Sequence, residues 1–177
     1  DQLNQVMSDA MGEDWSDNFL YFSYAPIAAA SIGQVHKAIT PDGEMLALKV
    51  QYPGVKDSIN SDVDNVATLL SMTGLLPKDV DFSPLLEEAK RQLHAEADYI
   101  AEADMLTRYH KVIGDDDRFA LPEAYPNFTS ETLLAMSFMK SEPIESQLSA
   151  DQATRDAIGK AMFELFFVET FDHGLIQ

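Results

Sequence analysis

The sequence predicts an α/β (α+β) fold: a small antiparallel sheet, a long helix beside it, and a helical segment after it. Three observations predict this. Short alternating or aromatic apolar runs cluster before Gln51 and again between Arg118 and Met139. Between these clusters, apolar residues recur at three- and four-residue steps. The last segment becomes apolar almost all round at "FELFFV", residues 163–168.

Taken in order, residues 1–12 ("DQLNQVMSDAMG") predict a short helix with Gly12 near its end. The aromatic run "NFLYFSYAPI", 18–27, predicts a strand, and "GQVHKAI", 33–39, a second. Pro41, Asp42 and Gly43 predict a turn, because Pro presets φ and Gly accepts positive φ. The third strand, "EMLALKVQY", 44–52, closes a hairpin. Its alternation puts Leu46, Leu48 and Val50 on one face and Ala47, Lys49 and Gln51 on the other.

Helical patterning follows from about Ser58 to Leu70, and Gly74 and Pro77 interrupt it. Ser83 fits an N-cap and Pro84 the first helical position of a helix expected to reach about His110. Leu86, Ala89, Leu93, Ala97, Ile100, Ala103 and Leu106 form one stripe along it. "RFALPEAY", broken by Pro122, and "ETLLAMSFM" predict two more strands. "SEPIESQ" reads as a connector. Ser149 and Gln152 have capping-box spacing ahead of the last helix.

Composition narrows the function classes. The 177 residues carry 12 Lys and Arg against 30 Asp and Glu, a net charge of −18. That balance argues against a nucleic-acid partner and against electrostatic docking on an anionic membrane. The hydrophobic content of 46% supports a packed core. There is no cysteine, so disulfides and thiolate sites are excluded. The histidines, His36, His94, His110 and His173, show no ligand spacing, and no metal held by protein alone is expected. No apolar run approaches the roughly 20 residues of a membrane span. The first residue is Asp1 and the last stretch is "FDHGLIQ"; both ends are expected to be cut.

One short stretch asks for an explanation. In "PIAAASIGQVH", 26–36, three alanines stand between two strands, where a tight turn ordinarily uses glycine. The chain order is strand, turn, strand, strand with lysine, helix with carboxylates, two strands, connector, helix. A kinase-type nucleotide-binding lobe has that order: a turn covers the phosphates, a third-strand lysine reaches them, and a helix glutamate holds the lysine.

The motifs "PIAAASIGQVHKA", "LALKVQYPGV" and "AEADYIAEADML", in this order and spacing, resemble the UbiB/AarF/ADCK family of atypical kinase-like ATPases over essentially the whole chain. The resemblance implies that Ala28, Ala29, Ala30 and Ser31, completed by Gly33 and Gln34, form an alanine-rich phosphate loop. It implies that Lys49 contacts nucleotide phosphates and that Glu102 orients Lys49. It implies that Glu96 and Asp98, of a Glu-x-Asp motif, engage an N-terminal extension lying over the cleft. Alanine would stiffen the loop relative to glycine and add methyls near the nucleotide. On a wheel of roughly 100° per residue, Asp98 and Glu102 lie roughly 40° apart and Glu96 and Glu102 roughly 120°. One partner then does not serve both glutamates.

The implied cofactor is ATP or ADP with Mg2+, its metal ligands lying in a missing C-lobe. The implied domains are a kinase-like N-lobe, 1–140, and the hinge and first helix of a truncated C-lobe, 141–177. By fold-level analogy, the hinge contacts would come from Met136 to Met139. The implied role is in quinone, or isoprenoid-lipid, biosynthesis. The implied partners are nucleotide, the missing C-lobe and N-terminal extension, and lipid or quinone-pathway proteins. The expected location is the cytoplasm or the mitochondrial matrix, peripheral to a membrane in the parent. These residues alone are expected to be inactive and to self-associate. Two alternatives stay open: a non-catalytic pseudokinase and an acidic interaction scaffold.

Overall fold

A computed structural model describes residues 2–73 and 81–175. Gly74 and Pro77, expected to interrupt the chain, and Gln177 lie outside the described residues. Contacts divide the chain into two units, Asp1–Thr107 with Pro122–Phe138, and Arg108–Leu121 with Met139–Gln177.

In the first unit, the described residues form one antiparallel sheet of β1 (Tyr21–Phe22), β2 (Ala28–Ala29), β3 (Gly33–Ile39), β4 (Met45–Gln51) and β5 (Leu133–Ser137). The order is β1-β3-β4-β5, with β2 also paired to β3. The single strand expected over 18–27 is thus a 3-10 turn, Trp15–Asn18, followed by two short strands on one edge of β3. Pro26, which has no amide to donate, stands in the gap between them. The β3–β4 hairpin pairs Gly33 with Gln51 at one end and Ile39 with Met45 at the other. At its turn the Gly43 amide donates to Thr40 O at 2.9 Å, and Gly43 takes φ +87°.

The alternation along β4 decides the two faces of the sheet. Leu46, Leu48 and Val50 are buried with Leu133 and Ala135 beneath α1 (Gln2–Met11), which brings Val6 and Met7. Burying each of these Leu, Val and Met side chains contributes on the order of 2 kcal/mol. On the opposite face, Leu134 packs with Ile32, Ile59, Ala97 and Tyr99. Ile59 comes from α2 (Val55–Met72), and α3 (Ser83–Glu96) is tied to α2 by Lys90–Asp64 at 2.8 Å and His94–Asn60 at 3.0 Å.

Four local expectations are corrected. Ser83 does not cap α3 with its side chain; its amide donates to Asp81 Oδ1 at 3.0 Å, so Asp81 supplies the acceptor. The helix expected to run to His110 ends at Glu96, and a new one, α4 (Tyr99–Ile113), begins after Asp98. The strand expected over 118–125 reduces to a single bridge, Ala124 to Met136. Pro122 cannot donate to a ladder, and Pro126 already opens a 3-10 turn, Pro126–Phe128. Asp151, rather than Ser149, caps the last helix, its Oδ1 accepting from Thr154 N at 2.8 Å.

In the second unit, Tyr109, Ile113 and Leu175 form a small core with Phe119, Leu121, Leu165 and Val168 packed on it. The segment expected as a plain connector holds a 3-10 turn, Ile144–Ser149. Helix α5 (Gln152–Phe167) then widens into a π turn, Val168–Asp172. Its all-round apolar sequence leaves Phe163 65% and Phe171 71% exposed.

Candidate functional site

The site grows from three local choices of the chain, all in the first unit. The first is the alternation of β4, which turns Lys49 away from Leu48 and Val50 and toward the face that carries Tyr99 and Ala97. The Lys49 side chain is 15% exposed there.

The second is the helix break at Ala97-Asp98. Ala97 takes φ −85° and ψ 3° at the end of α3, and its amide closes on Leu93 O. The Asp98 carboxylate accepts from Ala101 N at 3.0 Å, and Asp98 O accepts from Glu102 N. Asp98 is therefore the N-cap of α4. Because of the break, Glu102 stands in the first turn of a helix, where a carboxylate is favoured by the helix dipole. The wheel angles expected for Glu96, Asp98 and Glu102 do not apply across it.

The third is the alanine turn. Ala28 and Ala29 are extended and pair with Val35 and Gln34. The Ala30 amide donates to Gly33 O at 2.9 Å, which leaves Ser31 and Ile32 at the tip. No non-glycine residue among those described has positive φ, and Gly33 has none either. Glycine at 33 answers a different demand. A Cβ there would lie 2.4 Å from Val50 O and 3.0 Å from Tyr99 Oη. The turn is hairpin geometry that alanine adopts without strain, and the glycine requirement has moved to the point where β3 crosses close to β4.

These choices bring Lys49 and Glu102 together. Lys49 Nζ donates to Glu102 Oε1 at 2.9 Å and Oε2 at 2.7 Å. The same ammonium lies 4.7 Å from the centre of the Tyr99 ring. Next along β4, Gln51 is buried and donates to Ala97 O at 3.2 Å, tying the strand to the helix break.

Glu96, expected to be answered by a segment outside this chain, here accepts from the Ser31 hydroxyl at the tip of the turn. Asp98 is engaged in its cap. Among the described residues no group of three or more His, Cys, Asp or Glu is placed to hold a metal ion.

Tyr99, Gln51 and the Ser31–Glu96 contact were not singled out from sequence as parts of the site. Tyr99 is fully buried, and its Oη has no hydrogen-bond partner among the described residues. Burial, then the charges of Glu102 and Glu96, raise its pKa well above the ordinary phenol value, so it stays protonated. The available signal was position: an aromatic directly after a capping Asp. It was hidden because the apolar steps on either side suggest one continuous helix.

The arrangement is a cation held by a carboxylate on a sheet face, beside a tight turn. Chemically, such an arrangement can offer an oriented positive charge, largely out of water, to an anionic group.

The sequence matches the ABC1 atypical kinase-like domain over residues 1–177. It is 37% identical over 170 residues to the protein named "Atypical kinase coq-8, mitochondrial" of Caenorhabditis elegans, covering 96% of this chain and 22% of that one. It is 36% identical over 168 residues to "Atypical kinase COQ8, mitochondrial" of Saccharomyces cerevisiae, covering 95% of this chain and 34% of that one. The chain thus spans 22% and 34% of the length of these two relatives. Among solved structures, it resembles the Mycobacterium tuberculosis protein Rv3197 in its complex with erythromycin. The TM-score is 0.77 at 28% identity, covering 94% of this chain and 42% of that one. The mixed helices and small antiparallel sheet are those of a kinase-like N-terminal lobe.

Proposed function

Because the chain belongs to the ABC1 (UbiB/AarF/ADCK) family of atypical kinase-like domains, we propose that it is the nucleotide-binding part of an atypical kinase or ATPase acting in quinone, or isoprenoid-lipid, biosynthesis. The observation that carries this reading is the Lys49–Glu102 pair on the sheet face beside the alanine turn. An ammonium oriented by a carboxylate and shielded from water is what polyphosphate binding requires.

In this reading, Lys49 contacts the α- and β-phosphates of ATP or ADP, and Glu102 fixes its direction. The backbone around Ala28, Ala29, Ala30, Ser31 and Gly33 flanks the phosphates. Since the Ala30 amide is bonded to Gly33 O, the tip amides of Ser31 and Ile32 are assigned to the phosphate. Glu96, paired with Ser31 in this chain, is the residue that an extension over the cleft would compete for. Residues 1–140 are assigned to the lobe that carries the site, and 141–177 to the hinge and the start of the following lobe. Among the described residues no group of three or more His, Cys, Asp or Glu is placed to hold a metal ion. The ligands of nucleotide-borne Mg2+ are assigned to the rest of a longer protein.

Both relatives are named as mitochondrial, which of the expected locations supports the mitochondrial one for this protein. Among the described residues no helix is long and apolar enough to cross a membrane.

The test is nucleotide-dependent stabilisation of the full-length protein. ATP or ADP with MgCl2 should raise its thermal midpoint in a saturable way, because a ligand of the folded state stabilises by mass action. The Lys49→Ala protein should lose the shift. A wild-type midpoint that does not move at millimolar nucleotide overturns the reading.

A further inference from the structure

The Lys49 ammonium is held on one side by Glu102, but a lysine has a long flexible stem and one carboxylate does not fix it. What stands on its other side is Tyr99, whose ring centre is 4.7 Å from Nζ, well inside cation–π range. Tyr99 is the first residue of α4 and Glu102 lies three positions on, so the two share a helix face and reach the same lysine. The Asp98 cap fixes where that helix starts, and with it both side chains. Tyr99 also backs the turn: a Cβ at Gly33 would come within 3.0 Å of its Oη.

We propose that Tyr99 is a positioning residue of this site: its ring face holds the Lys49 ammonium toward Glu102. The proposal rests on the nucleotide reading for what Lys49 does, and not for where Lys49 is held. The hydroxyl does not hold the lysine: among the described residues it is buried with no hydrogen-bond partner, and the quadrupole of the ring face, which phenylalanine shares, attracts the ammonium.

The experiment compares Tyr99→Phe, which keeps the face, with Tyr99→Met, which keeps apolar bulk and removes the face, in the full-length protein. The first readout is the rate at which an N-hydroxysuccinimide ester acetylates Lys49, followed by peptide mass spectrometry. Lys56 and Lys90 serve as internal references and Glu102→Gln as a standard for a released lysine. Tyr99→Phe should label Lys49 at the wild-type rate. Tyr99→Met should label it several-fold faster, with Lys56 and Lys90 unchanged; general loosening would speed all three. The second readout is affinity for ATP with MgCl2, unchanged in Tyr99→Phe and weaker by about tenfold in Tyr99→Met.

Lys49 labelled at the wild-type rate in a folded Tyr99→Met protein overturns the proposal, as does a Tyr99→Phe protein that behaves like Tyr99→Met. Should Tyr99→Met fail to fold, Tyr99→Leu takes its place as the variant without a ring face, and wild-type labelling of Lys49 in the folded Tyr99→Leu protein overturns the proposal. Absence of nucleotide binding in wild type sinks the nucleotide reading alone, and the labelling readout still tests Tyr99.

Discussion

Glu102 receives the Lys49 ammonium on both of its oxygens, at 2.9 and 2.7 Å, across 53 residues of chain. Two unrelated periodicities meet in that contact. The period of two along β4 turns Lys49 off the Leu48 face, and the restart of the helix at Tyr99 puts Glu102 in a first turn facing it.

The pair should matter more to ligand than to fold. The Lys49 side chain is 15% exposed and that of Glu102 38%, so solvent screens part of the attraction. A double-mutant cycle of Lys49→Ala and Glu102→Ala should return a stability coupling on the order of 1 kcal/mol. Nucleotide affinity should fall by about tenfold or more in Lys49→Ala, from loss of charge-assisted bonds to phosphate. Isothermal titration that gives the wild-type affinity removes Lys49 from the site.

Gly33→Ala should destabilise the first unit by about 1–3 kcal/mol through overpacking. The new methyl would meet Val50 O at 2.4 Å, and that carbonyl belongs to the central strand β4, so it has little freedom to retreat. The effect is one of space, since Gly33 does not have positive φ. A urea midpoint equal to that of wild type contradicts the close approach.

Asp98→Ala should cost about 1 kcal/mol, the usual penalty for losing an N-cap. Asp98→Asn, which keeps an acceptor for Ala101 N, should cost much less. Because Tyr99 and Glu102 hang on the same helix start, Asp98→Ala should also weaken nucleotide binding. Equal stability of the Ala and Asn proteins by chemical denaturation contradicts the capping role.

How much was legible follows from which signals were local. The two faces of β4 were legible because strict alternation has one structural meaning when one face is Leu46, Leu48 and Val50. The closeness of Lys49 and Glu102 was legible through a motif, not through spacing, since many lysine–glutamate pairs are equally far apart. The break at Ala97-Asp98 was not legible, because Leu93, Ala97 and Ile100 keep helical steps across it. Those steps mislead: Ala97 is buried on the sheet side, whereas Ile100 is 43% exposed. Pro26 and Pro122 were visible, but their cost depends on whether the neighbouring strand needs their missing amide. That is a tertiary fact. The Ser31–Glu96 contact joins a turn to a helix end and has no local signature at all.

The last prediction concerns acid. Arg118 donates through its side chain and its amide to Asp116, at 2.7 Å for the closest pair, and holds that carboxyl down to about 2 from an ordinary value of 3.8. The same guanidinium, bonded at 2.5 Å, lowers Glu164 on α5. A carboxyl depressed in the folded state favours folding above its unfolded pKa, and the benefit is lost as pH falls toward the folded one. For Asp116 the window therefore runs from about 4 down to about 2. The thermal midpoint of the second unit, followed by its helical circular dichroism, should fall across this range in wild type. Asp116→Asn should lower the midpoint at neutral pH and flatten the acid slope, because the substituted side chain has no proton to take up. Glu164→Gln should likewise flatten the acid slope, because the same guanidinium lowers its carboxyl. Identical acid slopes in wild type and Asp116→Asn would place the acid sensitivity of this unit elsewhere than in the Arg118 cluster.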